Sequence, residues 1–415
     1  MLNKKKIIND PVHGFITIQS ELIFDIINHS YFQRLRRIRQ LGLTEFVYPG
    51  AIHTRFHHAL GAMHLMSVSL HTLRSKSHEI SEAEYEAALI AILLHDIGHG
   101  PFSHALENTV LSNVPHEEIS ALIMEFLNQE FGGALDLAIR IFNNQYERKF
   151  FHQLVASQLD MDRMDYLQRD SFFTGVSEGK IGADRIIKML EIKNDQIVVE
   201  EKGIYSIENF LNTRRLMYWQ VYLHKTTVST EQMLTQAIRR ARFLAQIGTE
   251  VFASPALSLF LKNEVNLSLF KNDKTFLKAF VRLDDYDVWG AIKIWTEHED
   301  KVLSELSKML INRKLFRVKL ENERIPLDLK KQAYEQIKSQ LKLSDRAVKE
   351  NEIDYFLSYG VITNSAYFSD EQKILILKKN GQILDVAHAS DLPNIKALTK
   401  MVKKYYLCYP KNIIL

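Results

Sequence analysis

Three histidines and a carboxylate fall within ten residues, in the stretch His95-Asp96-Ile97-Gly98-His99-Gly100-Pro101-Phe102-Ser103-His104. An adjacent His and Asp can serve one cation, because His offers a neutral nitrogen and Asp a charged oxygen, while Gly98 and Gly100 let the backbone turn tightly beneath them. An isolated His-Asp pair would read as a hydrogen-bonded helix end, but His99 and His104 close behind it favour a metal site. Arg55 and His58 lie three apart on the first turns of a helix opened by Thr54, so both can face one pocket. Asp162, Tyr166 and Asp170, at i, i+4 and i+8, form one polar helical stripe that can supply a further anionic ligand. Arg214, Tyr218 and Tyr222 repeat that spacing. Arg34, Arg36, Arg37 and Arg39 make a cationic segment, read either as a solvated face or as part of an anion site.

Mostly helices must position these groups. Ala87–Leu94 is a continuous apolar run opened by Ser81 and Glu84 at capping-box spacing, so the His-Asp pair ends a buried helix. Thr54 opens a helix through Leu73, Ser20 one with Leu22, Ile23, Ile26 and Ile27 inward, and Ser30 one running to Leu41 before Gly42. Further helices are expected from Pro115 to Phe131 and from Gly133 to Asn143. Phe15–Ile18 reads as a strand and Ile197–Ser206 as a hairpin with Gly203 near its turn. Ser229 and Gln232 read as another capping box, with Gly248 closing that helix. Helical patterns continue from Val251 to Leu343. The texture changes near Asn351, with strands at Asp354–Gly360, Lys373–Lys378 and Ile383–Val386, a type I′ turn at Asn380-Gly381, a helix from Ser390 to Val402 and a last strand Tyr405–Tyr409. The expectation is a mainly α protein: a helical core over 1–250 with a short hairpin, a helical arm over 251–345 and a small α/β lobe over 346–415.

A chain of 415 residues, 46% hydrophobic and 25% charged, can bury a large core and is far from a disordered composition. Its formal charge of +3 is too small to imply nucleic-acid or membrane binding. The single cysteine, Cys408, excludes an internal disulfide, and Lys4-Lys5-Lys6 runs into Ile-Ile-Asn-Asp-Pro rather than a secretory apolar core, so the cytoplasm is expected. No apolar run approaches the roughly 20 residues that span a bilayer.

Five segments occur in order: NDPVHG, FQRLRRIRQLG, TRFHHALG, LLHDIGHGPFSH and DMDRMDYLQRD. From Lys6 to about Phe316 the chain resembles the HD superfamily of metal-dependent phosphohydrolases, and within it the deoxynucleoside triphosphate triphosphohydrolases related to the vertebrate sterile-alpha-motif-and-HD enzyme. The resemblance implies an HD-domain helical core binding one divalent ion (Mn, Fe, Zn, Ni or Mg) through His58, His95, Asp96 and Asp162. It implies a phosphate-binding and acid/base group of His99, His104 and His116, oriented by Glu107 and Glu117, with His104 the first choice for direct participation. A carboxylate beside a histidine is expected to raise its proton affinity. Arg55, Arg163, Tyr166 and Arg214 would hold phosphates, and Gln40, Leu41, Asp170 and Tyr222 would surround the sugar. Arg163 stands where relatives often have Lys, which exchanges a point cation for a fork. The implied reaction is attack of metal-activated water on the α-phosphorus of a dNTP, giving deoxynucleoside and triphosphate. A homo-oligomer, dimer or tetramer, is also implied, with an activating nucleotide at Lys6, Asn9, Asn28, Gln33 and Arg36. Asn28 replaces a guanine-reading Asp, which implies altered activation. The competing readings are an HD phosphohydrolase of another nucleotide or phosphate ester, and a nucleotide-sensing regulatory protein.

Overall fold

The computed structural model of the chain describes residues 6–102, 109, 111, 114–343, 346–364, 367 and 373–415. It is mainly helical with a few small sheets, as expected. Strands β1 (Lys6–Asp10) and β2 (Gly14–Ile18) pair antiparallel, Asp10 opposite Gly14. Helix α1 (Glu21–Asn28) starts where the Ser20 hydroxyl accepts the Ile23 N–H at 3.1 Å, and it buries Ile23, Ile26 and Ile27.

The expected helix from Ser30 to Leu41 does not form. One α-turn, Ser30–Gln33, is capped by the His29 ring rather than by Ser30, and a 3₁₀ turn, Arg34–Arg37, follows before the chain extends at Ile38. The reason is Arg34, fully buried, whose guanidinium donates to the carbonyls of Leu283 at 2.8 Å, Ile97 at 3.3 Å and His99 at 2.6 Å. Satisfying those carbonyls from a dry interior outweighs continuing a short helix.

Helix α2 (Arg55–Ser75) is the central element; it packs against both α3 (Glu82–Leu94) and, beyond α4 (His116–Glu130), against α5 (Met161–Thr174). The Ser81–Glu84 box is present: the Ser81 hydroxyl accepts the Glu84 N–H at 3.2 Å and Glu84 accepts the Ser81 N–H at 2.8 Å. Such a cap fixes where the apolar run begins, and therefore where His95 and Asp96 end it.

The hairpin lies earlier than expected. Its strands are β3 (Leu190–Lys193) and β4 (Gln196–Glu200), turning at Asn194-Asp195, both in the left-handed region; Gly203 sits instead in a 3₁₀ turn, Glu201–Gly203. Asn and Asp are the non-glycine residues that tolerate that conformation, so the turn signal was present without a glycine. Helix α6 (Ile204–Met217) continues into a π-turn, Tyr218–Tyr222. Helix α7 (Lys225–Gln246) is capped by the ring of His224, so Ser229 and Gln232 are interior to it rather than a capping box; Ser229 donates to the Phe316 carbonyl at 2.9 Å. Gly248 ends it with φ +85°.

The C-terminal third contributes β5 (Arg317–Glu321), β6 (Ser358–Asn364), β7 (Leu375–Leu377), β8 (Ile383–Asp385) and β9 (Val402–Tyr409). Strand β5, inside the stretch read as helical, pairs with β9, which also pairs with β6; β7 runs parallel to β4 and ties this region to the core hairpin. The first expected lobe strand starts later, after a 3₁₀ turn Glu350–Tyr355, and the helix expected over Ser390–Val402 shrinks to Pro393–Ala397. In the Asn380-Gly381 turn only Gly381 takes positive φ, so the turn is not type I′.

Where α2 and α5 cross, a Cβ on Gly61 would overlap Asp165 Oδ1 and Arg169 Nη2. Gly290, inside the helix Asp285–Trp295, has open space at the same point. Gly61→Ala should therefore lose at least about 1–3 kcal/mol in chemical unfolding, whereas Gly290→Ala should gain about 0.5–1 kcal/mol. Equal responses would contradict this packing.

Candidate metal centre and nucleotide cleft

Three helices deliver the four expected ligands to one point. His58 comes from the second turn of α2, His95 and Asp96 from the end of α3, and Asp162 from the first turn of α5. His58 Nε2 lies 3.4 Å from His95 Nε2 and 3.1 Å from Asp162 Oδ1, and His95 Nε2 lies 3.5 Å from Asp162 Oδ1. Asp96 closes the set, 3.3 Å from His95 Nε2 through Oδ1 and 3.8 Å from His58 Nε2 through Oδ2. Asp96 also belongs to a second grouping, with His99 and His116.

The donor chemistry fits a divalent cation. His95 Nδ1 faces the Ile92 carbonyl at 2.6 Å, and a carbonyl only accepts, so Nδ1 carries the proton and Nε2 presents a lone pair. His58 Nδ1 likewise donates to Asp165 at 2.8 Å. Without a cation the cluster would hold a proton: burial opposes charge on His58, yet hydrogen bonds and charge from Asp162 and Asp165 raise it to about 10. Burial likewise opposes charge on Asp162, and the two histidines overcome it, holding the carboxyl well below its usual range.

Behind the ligands lies a buried ionic network that sequence reasoning passed over. Asp165 accepts from His13 Nε2 at 2.6 Å and from Arg169 Nε and Nη2 at 2.9 Å each, in addition to His58. Arg169 continues to Asp10, 2.8 Å away, and Asp10 accepts the N–H groups of Val12 and His13 at 2.9 Å. The signals were the carboxylate and imidazole of the NDPVHG segment and the i, i+4 pair Asp165–Arg169.

A cleft of about 490 Å³ opens beside the cluster. Asp96, Asp162, Arg55, His99 and His116 line it together with Arg163, Tyr166, Asp170, Tyr222, Gln40 and Leu41. Arg55 pairs with Asp96, and Arg163 with Asp160. Asp170 accepts from the Tyr222 hydroxyl at 2.8 Å and stands 2.7 Å from His53 Nε2. Arg214 does not line the cleft but is buried behind it; among the described residues its Nε and Nη1 have no partner, and neither does the buried Gln40 Oε1. His99 and His116 stack with ring centroids 3.7 Å apart, and Glu117, exposed, stands 3.4 Å from His116 Nε2. For His99 the expectation of raised proton affinity is reversed, because burial and the Arg55 charge outweigh Asp96. His104 and Glu107 lie outside the described residues.

Lys6, Asn28, Gln33 and Arg36 gather around α1: Lys6 Nζ sits 3.0 Å from the Phe24 ring centroid, Asn28 and Gln33 donate to the carbonyls of Phe24 and Ile27, and Arg36 donates to Gln33. Asn9 lies on the neighbouring β1, paired with Phe15. Among the described residues no helix is long and apolar enough to cross a membrane.

Since Asp165 fixes the tautomer of His58 and neutralises the buried Arg169, Asp165→Asn should cost about 3–5 kcal/mol in chemical unfolding and, in protein that circular dichroism shows to be folded, lower metal affinity about 10- to 100-fold. Metal content after dialysis against graded chelator measures this; wild-type retention would show that the network does not tune the site.

Comparison with known proteins agrees with this arrangement. Residues 55–170 match the HD domain and residues 181–252 the HD-associated region. YwfO of Bacillus subtilis is 33% identical over all of this chain and 94% of its own length. Human deoxynucleoside triphosphate triphosphohydrolase SAMHD1 is 30% identical over 57% of this chain, a match spanning 44% of that protein. The crystal structure of a phosphohydrolase from Bacteroides thetaiotaomicron superposes with a TM-score of 0.94 and 53% identity, covering 98% of this chain and 100% of that one. With its four ligand candidates converging inside the matched HD region, the chain belongs to the HD superfamily of metal-dependent phosphohydrolases.

Proposed function

We propose that this phosphohydrolase cleaves deoxynucleoside triphosphates to deoxynucleoside and inorganic triphosphate. The observation that carries the reading is one cleft in which the His58–His95–Asp96–Asp162 cluster adjoins cationic side chains and the Asp170–Tyr222 pair. The similarity to SAMHD1 supports it.

His58, His95, Asp96 and Asp162 would hold the cation, which when bound supplies a lowered water pKa and compensation for phosphoryl charge. Arg55, Arg163 and Tyr166 bind phosphate oxygens, and Arg214, buried with nitrogens that have no partner among the described residues, adds positive field from behind Tyr166. Neutral His99 serves as a hydrogen-bonding partner to phosphate, with His116 stacked on it and Glu117 beside that ring. The proton for the departing 5′-oxygen is assigned to His104, with Glu107 as its orienting carboxylate. Leu41 and Tyr222 pack against the 2′ carbon, while Gln40 and Asp170 receive the 3′-hydroxyl; both Asp170 oxygens already have partners, so the added bond uses a remaining lone pair. The grouping of Lys6, Asn28, Gln33 and Arg36 beside Asn9 supports an effector nucleotide bound in a dimer or tetramer.

Chromatography of dNTP, rNTP and dideoxy-NTP reactions with Mn or Mg tests this. Deoxynucleoside and triphosphate should appear in equal amounts, rNTPs should be disfavoured by about 10²-fold, and dideoxy substrates by more, because a missing hydroxyl leaves buried groups unpaired. Tyr222→Ala should relax 2′ discrimination, and Arg214→Ala should retain metal while weakening triphosphate binding. Equal rates on GTP and dGTP, or release of monophosphate and pyrophosphate, would refute the reading.

A further inference from the structure

Helix α7 closes the same cleft from another side, packed against the turn Thr44–Phe46, and presents Thr227 and Glu231 to it one helical turn apart. Neither residue is used by the chemistry above. Thr227 is 1% exposed, and among the described residues its hydroxyl has no partner. Glu231 is half-buried, and among the described residues it pairs with no cation and accepts no hydrogen bond. A carboxylate drawn out of water without a partner is costly, and burial alone pushes this one up to about 7. Among the described residues no ion pair accounts for it.

These groups line the same cleft as Tyr222, the residue assigned to the sugar, and follow it in the chain. Tyr222 hydrogen-bonds to Asp170, and Leu223, Thr227 and Glu231 follow along the same cleft wall. Resting on the dNTP reading, we infer that Glu231 and Thr227 read the base, and that the base they select is guanine. A carboxylate offers two parallel acceptors and no donor. Guanine alone among the four DNA bases sets two donors side by side, N1–H and the N2 amino group, with the O6 acceptor beside them for the Thr227 hydroxyl. Adenine and cytosine place a ring acceptor next to their amino group, and thymine flanks its single N3–H with two carbonyls, so each would set lone pairs against an oxygen of Glu231. Tyr218, lining the same wall, offers a ring face to a base.

The deciding comparison is kcat/KM for dGTP against dITP, which differs from dGTP only in lacking the N2 amino group, alongside dATP, dCTP and dTTP. The wild-type enzyme should favour dGTP over dITP by about 10- to 100-fold, the loss expected for a hydrogen bond to a buried charge. Glu231→Gln, nearly isosteric but presenting an amide donor to one of guanine's donors, should bring that ratio close to one, and Thr227→Val should lower it less. Metal content and melting temperature check that both variants fold. A wild-type ratio near one, with dNTPs hydrolysed, overturns base reading by Glu231 and leaves the dNTP assignment standing. A ratio unchanged in a folded, metal-loaded Glu231→Gln enzyme does the same. Turnover of none of the dNTPs removes both.

Discussion

The structure depends on a buried chain of charge running Asp10–Arg169–Asp165–His58. Arg169 and Asp165 are fully buried, and removing either would strand the other's charge, a loss that commonly costs about 3–5 kcal/mol. That chain joins the first hairpin, α2 and α5 at a single point, and its last link sets which nitrogen of His58 carries the proton. Gly61 is part of the same constraint, since α2 and α5 can approach closely enough only where no side chain intervenes. Fold and metal chemistry thus share one set of bonds.

A second buried cation does comparable work on the other side of the His-Asp pair. Arg34 binds the carbonyls of Ile97 and His99, holding the loop after Asp96 against the segment around Leu283. Gly98 packs against the first turn of α4, where a Cβ would overlap the backbone of His116 and Ser120. Ser120 accepts the Gly98 N–H at 2.9 Å and donates to the His95 carbonyl at 2.8 Å, so His99 and His116 meet face to face. Gly98 is required by close backbone approach rather than by left-handed geometry, whereas Gly100 is required by neither: its φ is not positive and a Cβ there would meet only the Phe280 ring, at 3.4 Å.

The ligand elements were legible because their signals are local: a capping box before an apolar run, an N-cap Thr before Arg55, a polar stripe on α5. Tertiary demands hid the rest. Arg34 broke an expected helix through carbonyls far away in sequence, β5 formed because β9 offered it an edge, and the hairpin turned on Asn194-Asp195 rather than on the nearby Gly203. The Asp165 network was hidden differently. Its one local signal, Arg169 four residues after Asp165, also fits a solvated helix pair, and only the fold brings His13 and Asp10 to it.

The proposed reaction is attack of water on the α-phosphorus of a deoxynucleoside triphosphate beside the cation site. Hydrolysis in ¹⁸O-water, with the products resolved by mass spectrometry and ³¹P spectroscopy, tests this most directly. Attack at the α-phosphorus should leave one ¹⁸O on a terminal phosphorus of inorganic triphosphate and none in the deoxynucleoside. Label in orthophosphate, in a nucleoside monophosphate or on the deoxynucleoside itself would contradict it.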